Sequence, residues 1–253
     1  MNDRRPPAVT REIRGMFGGI ARRYDIMNSL MTFGRDHAWR RYVIDMAVLP
    51  TGGRLLDVGT GTGKIALDAV AKIPDVAVVA ADFSSEMMRV GKKQSGGRGI
   101  NWCCADALHL PFPDSLFHAV TSGYLIRNVT DIEKAFEEQM RVVVPGGRVV
   151  CLDTSPAPRN ILRPFALFYL RYVIPLLGSM ITGDKDAYRY LPESTEAFKA
   201  PEELADIMEK VGFREVVIQR FMFGNIGVVT GRRPPVELNS EHSPLSAAGL
   251  ASE

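Results

Sequence analysis

The chain has 253 residues, 46% hydrophobic and 24% charged, with 31 basic against 29 acidic residues for a formal net charge of +2. That balance excludes collagenous, coiled-coil and wholly disordered classes, and a charge near zero with no dense Lys/Arg stripe excludes a nucleic-acid partner. Cys103, Cys104 and Cys151 are too few for a disulfide framework and lack zinc spacing, which predicts a cytoplasmic protein without a structural metal.

Residues 1–9 are polar and lack the apolar core of a signal peptide, so they read as a disordered tail. The folded part is predicted to run over 10–233 as a single domain, with N-terminal helices over 10–48. A buried parallel strand is predicted at Arg54–Val58, a helix at Lys64–Lys72, a strand over 76–81 and a serine-capped helix over 84–93. Strands follow over 100–104 and 117–122, then an amphipathic helix over 131–143, the turn Pro145-Gly146-Gly147 and a strand over 148–152. Residues 158–195 are predicted to form a helical insertion outside this repeat. A helix at Pro201–Val211 ends at Gly212, and strands over 216–219 and 226–230 complete the fold before a disordered tail over 234–253. Strand–helix alternation at this spacing predicts an α/β fold, a doubly wound and mostly parallel seven-stranded sheet.

The run Asp57-Val-Gly59-Thr-Gly61-Thr62-Gly63 sits where the first strand hands over to the first helix of that sheet. Glycines there let the backbone turn tightly and approach a ligand, and the helix N-terminus offers N–H groups to an anion. A dinucleotide fingerprint would need glycine where Lys64 stands, and a phosphate loop would need glycine at Val58 and a hydroxyl at Ile65. The pattern that remains resembles motif I of S-adenosylmethionine-dependent methyltransferases. Asp82 ends the second strand, where a carboxylate can accept both ribose hydroxyls of an adenosyl group. Asp106-Ala107 follows the third strand and resembles the position that brackets adenine in those enzymes, although a lone Asp after a strand is also a common turn residue.

The flanks carry a narrower resemblance. Arg23-Tyr24-Asp25-Ile-Met27-Asn28, Phe33-Gly34, Trp39-Arg40, Leu110-Pro111-Phe112-Pro113-Asp114, Arg127-Asn128-Val129-Thr130-Asp131 and Tyr188-Arg189-Tyr190-Leu191 are similar to the menaquinone and ubiquinone biosynthesis C-methyltransferases. The resemblance runs from about residue 12 to 231 and implies a Rossmann-like methyltransferase fold. It also implies S-adenosyl-L-methionine as cofactor and a ring carbon of a polyprenylated quinol as methyl acceptor. The cofactor positions carry over as Thr62, Asp82, Asp106 and Ala107, with Asp57, Gly59 and Gly61 in the loop, and a contact that is usually serine falls on Gly123. The chain departs from the family at Asp153-Thr154-Ser155, at Gly123-Tyr124-Leu125-Ile126 and in the last strand. Other readings are a divergent relative methylating another lipophilic or phenolic molecule, and a non-catalytic cofactor-binding subunit of a lipid-biosynthesis complex.

A ring carbon is activated when the adjacent hydroxyl ionises, and a phenol with a pKa near ~10 requires a positive neighbour or a base to do so at neutral pH. Arg127 is expected to stabilise that quinolate, Asn128 to orient it and Tyr24 to close over the cofactor. The competing reading of Arg127 is a surface ion pair with Asp131. His109 and His118 read as structural, and His37 as within reach of the site. The stretch over 161–181, with Phe165, Phe168 and Tyr172, is apolar on more than one helical face. It is expected to take the polyprenyl tail or touch a membrane surface with Arg163 and Arg171 at the headgroups, the alternatives being a homodimer interface or plain core. Interrupted by arginines and prolines, it makes a poor transmembrane span.

Overall fold

The structure, a computed structural model, describes residues 25, 28–157, 161, 163–174 and 195–236. Tyr24, the 188–194 motif, the tail at 1–9 and all but the start of the 234–253 tail lie outside those residues. The strands are β1 (Arg54–Val58), β2 (Ala77–Asp82), β3 (Asn101–Cys104), β4 (Phe117–Gly123), β5 (Val143–Thr154), β6 (Arg214–Phe221) and β7 (Ile226–Arg232). The helices are α1 (Asp36–Ala47), α2 (Lys64–Lys72), α3 (Ser85–Gly91), α4 (Ile132–Val142), α5 (Arg163–Phe168) and α6 (Pro201–Val211). The sheet has the order β3-β2-β1-β4-β5-β7-β6, with β1 to β5 parallel and β7 antiparallel to both its neighbours. The doubly wound, mostly parallel sheet is therefore present.

Each element starts for a local reason. Ser84 accepts the Met87 N–H and caps α3, Asp131 accepts the Lys134 N–H and caps α4, and Gly212 ends α6 at φ 116°. Adjacent strand residues point to opposite faces, so the run Leu55-Leu56 feeds two cores. Leu56 joins Phe117, Phe136, Met208 and Phe213 beneath α4 and α6, while Leu55 joins Trp39, Val43, Ile65 and Leu152 beneath α1 and α2. β5 begins earlier than predicted, because Pro145-Gly146-Gly147 does not interrupt it. The pairing instead jumps from Phe117↔Val143 to Ala119↔Arg148, and the strand continues through the bulge.

The chain winds outward from β1 to β3 and then crosses back to β4 on the other side of β1. A crevice opens at the carboxyl ends of β1 and β4 where the winding reverses, the usual place for a ligand in such a sheet. Of the helical insertion, the described part is α5 followed by a π-turn over Tyr169–Val173. Phe165, Phe168 and Tyr172 are exposed there, while Tyr169 donates to the Met31 carbonyl and packs on Phe33. Arg171 is exposed and pairs with Glu196 at 2.8 Å. Among the described residues no helix is long and apolar enough to cross a membrane.

Candidate active site

The crevice is walled by the tips of β1, β2 and β4, by the loop over 59–63 and by α1. Gly59 turns the chain at φ +65°, and a Cβ there would fall 2.6 Å from Leu125 Cδ1, so the loop can lie against that wall only as glycine. Gly63, at φ +79°, has Trp102 where its Cβ would be, at 2.4 Å, and the Trp102 indole is fixed by donating to the Gly97 carbonyl.

Asp57 lies buried under this loop. Its carboxylate accepts from Thr60 Oγ1 at 2.5 Å and from Thr121 Oγ1 at 2.9 Å. Burial pushes its pKa up to about 6, against the pull of those hydroxyls, and the nearby charge of Asp82 adds to the rise. Asp82 accepts the Gly61 N–H on one oxygen at 2.8 Å and the Ser84 N–H on the other at 2.7 Å. Burial raises its pKa too, with those two donors opposing. A carboxylate offers about four acceptor sites, so both oxygens keep capacity for a ligand.

Asp57, Gly59, Gly61, Thr62, Asp82, Gly123 and Asn128 all line this one cleft. Asp106 and Ala107 are not among its described lining residues. Asp106 sits in an exposed turn beyond β3, where it accepts the Leu108 N–H at 2.9 Å, the local role of an Asx turn. Arg127 is buried, so the competing reading of it as a surface ion pair with Asp131 does not hold. Its guanidinium lies 3.5 Å from Asp153 and donates to Thr154 Oγ1 at 3.0 Å, while Asp131 caps α4 instead. The guanidinium also sits over the Tyr124 ring, 5.4 Å from its centroid, with Tyr124 on the cleft side. Asn128 donates to the Tyr124 carbonyl at 3.0 Å. Tyr124 itself adopts φ +57°, so the β4 tip turns sharply into the cleft wall.

The histidines divide as follows. His118 Nδ1 accepts the Arg54 N–H at 3.0 Å and anchors the start of β1, a structural role. His109 is exposed, and His37 is exposed beside Asp68 at 3.3 Å. Sequence reasoning assigned no role to Asp36 and Arg40, which line the cleft from α1. Their i,i+4 spacing on one helix was the available signal. Asp25 was also passed over. It accepts from Thr62 Oγ1 at 2.6 Å and pairs with Lys64 at 3.3 Å, and no local pattern announces such a long-range contact.

The model of the ubiE/COQ5 methyltransferase family matches residues 7–233 of the chain. The chain is 48% identical over 219 residues to the ubiquinone/menaquinone biosynthesis C-methyltransferase UbiE of Desulfotalea psychrophila, covering 87% of this chain and 89% of that protein. It is 43% identical to the demethylmenaquinone methyltransferase of Thermus thermophilus, covering 87% of this chain and all of that one. Among solved structures, an S-adenosylmethionine-dependent methyltransferase from Thermotoga maritima superposes with a TM-score of 0.59 at 20% identity, over 86% of this chain and 99% of that one. The phosphoethanolamine N-methyltransferase 2 of Haemonchus contortus, solved with S-adenosyl-L-methionine, gives 0.58 at 16% identity over 78% and 52%. At these identities the two structures speak for the fold.

Proposed function

The chain belongs to the ubiE/COQ5 methyltransferase family, and from that footing we propose that it is an S-adenosylmethionine-dependent C-methyltransferase of quinone biosynthesis acting on a lipophilic quinol, demethylmenaquinol in the first instance. The donor set of the cleft fits the cofactor. Asp25, Asp36, Asp57 and Asp82 line it against Arg40 and Lys64 among the described residues, a surplus of carboxylates that suits a ligand carrying a sulfonium and an ammonium. When bound, S-adenosylmethionine would supply an electrophilic methyl group, and its sulfonium sulfur would become a neutral thioether on transfer.

The protein's part is to bind, orient and keep water out. Asp82 would take the ribose hydroxyls on the lone pairs left free by Gly61 and Ser84, and the exposed turn carrying Asp106 and Ala107, at the end of the neighbouring strand β3, would meet the adenine. Ile65, Leu125 and Leu152 form an apolar stretch of wall, and a dry site favours a step in which charge is dispersed. The acceptor lies on the β4 side, where Asn128 orients its hydroxyl and Tyr124 supplies a flat face. Arg127 holds that face in position and lends its charge across the ring, and Tyr24, outside the described residues, is the residue expected to cover the cofactor. The exposed aromatic surface of Phe165, Phe168 and Tyr172 carries the prenyl tail at a membrane surface.

The observation that carries the cofactor reading is the Asp82 carboxylate, buried in the cleft beneath the glycine loop with acceptor capacity to spare. Asp82→Ala removes charged hydrogen bonds, so S-adenosylhomocysteine should bind roughly ten- to a hundredfold more weakly by calorimetry. Unchanged affinity would refute the assignment, as would measurable binding of NAD to the native protein.

A further inference from the structure

Two cations line the cleft among the described residues, Lys64 and Arg40. Lys64 is engaged at the loop by Gln94 at 2.8 Å and Asp25 at 3.3 Å. Arg40 comes from α1 and is held in a fixed pose against α2. Its Nη1 donates to Asp36 at 2.5 Å and its Nε to Asp68 of α2 at 2.9 Å. Asp36 is in turn fixed by the hydroxyls of Ser29 and Thr32, at 3.2 and 3.1 Å. Burial opposes the charge on Asp36, yet the hydrogen bond and charge of Arg40 outweigh it and hold the carboxyl below its usual range. The pair is therefore ionised and held in place, and both residues line the cleft although Asp36 is buried.

A guanidinium has five N–H donors, of which two are taken by Asp36 and Asp68 among the described residues. Asp68 stands one turn beyond Lys64, which places Arg40 alongside the first turns of α2. The amino end of that helix, Thr62 to Ile65, faces the same cleft and adds positive potential there. Asp82, the ribose end of the site, lies across the loop. An α-amino acid presents a carboxylate and an ammonium on one carbon, and an ionised Arg–Asp pair is the complement of that arrangement.

We propose that the Asp36–Arg40 pair grips the amino-acid head of S-adenosylmethionine, Arg40 taking the carboxylate and Asp36 the ammonium. This rests on the cofactor assignment made above. The test compares S-adenosylhomocysteine, which has the head, with methylthioadenosine, which lacks it, by calorimetry on the full chain. Arg40→Leu should weaken S-adenosylhomocysteine roughly ten- to a hundredfold and leave methylthioadenosine unchanged. Because that variant strands the buried Asp36, the double variant Asp36→Asn with Arg40→Gln is measured beside it and should show the same selective loss. Equal losses for both ligands in both variants would overturn the proposal. So would unchanged binding of both with a fall in turnover alone, which would give Arg40 to the acceptor. If the native protein bound neither ligand, the cofactor assignment itself would fall, and this proposal with it.

Discussion

Asp57 carries a carboxyl that burial lifts to about 6, in a cleft whose ligand is a cation. Between about pH 4 and pH 6 the native protein keeps a proton there that the unfolded chain has released, so this group's contribution to stability falls as pH rises through that window. Binding of the positive cofactor favours the ionised form and expels the proton. Cofactor affinity should therefore rise with pH through about 6 and level off above it, and calorimetry near pH 6 in buffers of different ionisation heat should register proton release. Asp57→Asn should remove that step, and a step that persists in the variant assigns it to another group. Arg127 belongs to the same scale. Its removal leaves Asp153 buried and unpaired, so Arg127→Ala should cost about 3–5 kcal/mol in urea unfolding, with part of it recovered by Asp153→Asn. Turnover in that variant should fall far more than cofactor affinity, since Tyr124 and Asn128 lose their support while the Asp82 side is untouched. Equal losses would reduce Arg127 to a structural residue.

At the scale of elements, the aromatic residues of α5 and the following turn form an exposed apolar group. Phe165 is 73% exposed and Tyr172 63%, values that a structural role alone does not require. Changing Phe165 and Phe168 to Asp should abolish co-sedimentation with liposomes and activity on long-tailed quinols, while cofactor binding and short-tailed analogues are spared. A shift from dimer to monomer with liposome binding intact would make this face a subunit interface. How far the elements could be read beforehand follows from the range of the interactions involved. The strand ends Asp57 and Asp82 and the glycine turn between β1 and α2 were legible because short-range chemistry dictates them: glycine at positive φ, carboxylates at strand tips. The β5 bulge was not, because Pro145-Gly146-Gly147 reads as a turn until pairing with β4 carries the strand past it. The pairing of Arg127 with Asp153 was hidden for a related reason. Asp131 is its neighbour in sequence, whereas Asp153 comes beside it only through the β4–β5 pairing. The contacts of Asp25 with Thr62 and of Arg40 with Asp68 also join separate segments, and no periodicity records them.

For the molecule as a whole, the winding of the sheet, the glycine loop and the acidic strand tips converge on one crevice, with an apolar wall on one side and an exposed aromatic helix beyond it. On the proposed function, that arrangement would bring a cationic methyl donor against a lipophilic ring and leave the ring's own hydroxyl as the source of reactivity. Only the reduced ring has that hydroxyl to ionise, and a quinone carbon is itself electron-poor. The most direct measurement offers methyl-labelled S-adenosylmethionine and demethylmenaquinol to the enzyme under anaerobic, reducing conditions, with demethylmenaquinone and no reductant in a parallel reaction. Label should appear on the ring carbon of the quinol and not in the oxidised acceptor. Equal labelling of the quinone, or label carried on oxygen, would contradict the account.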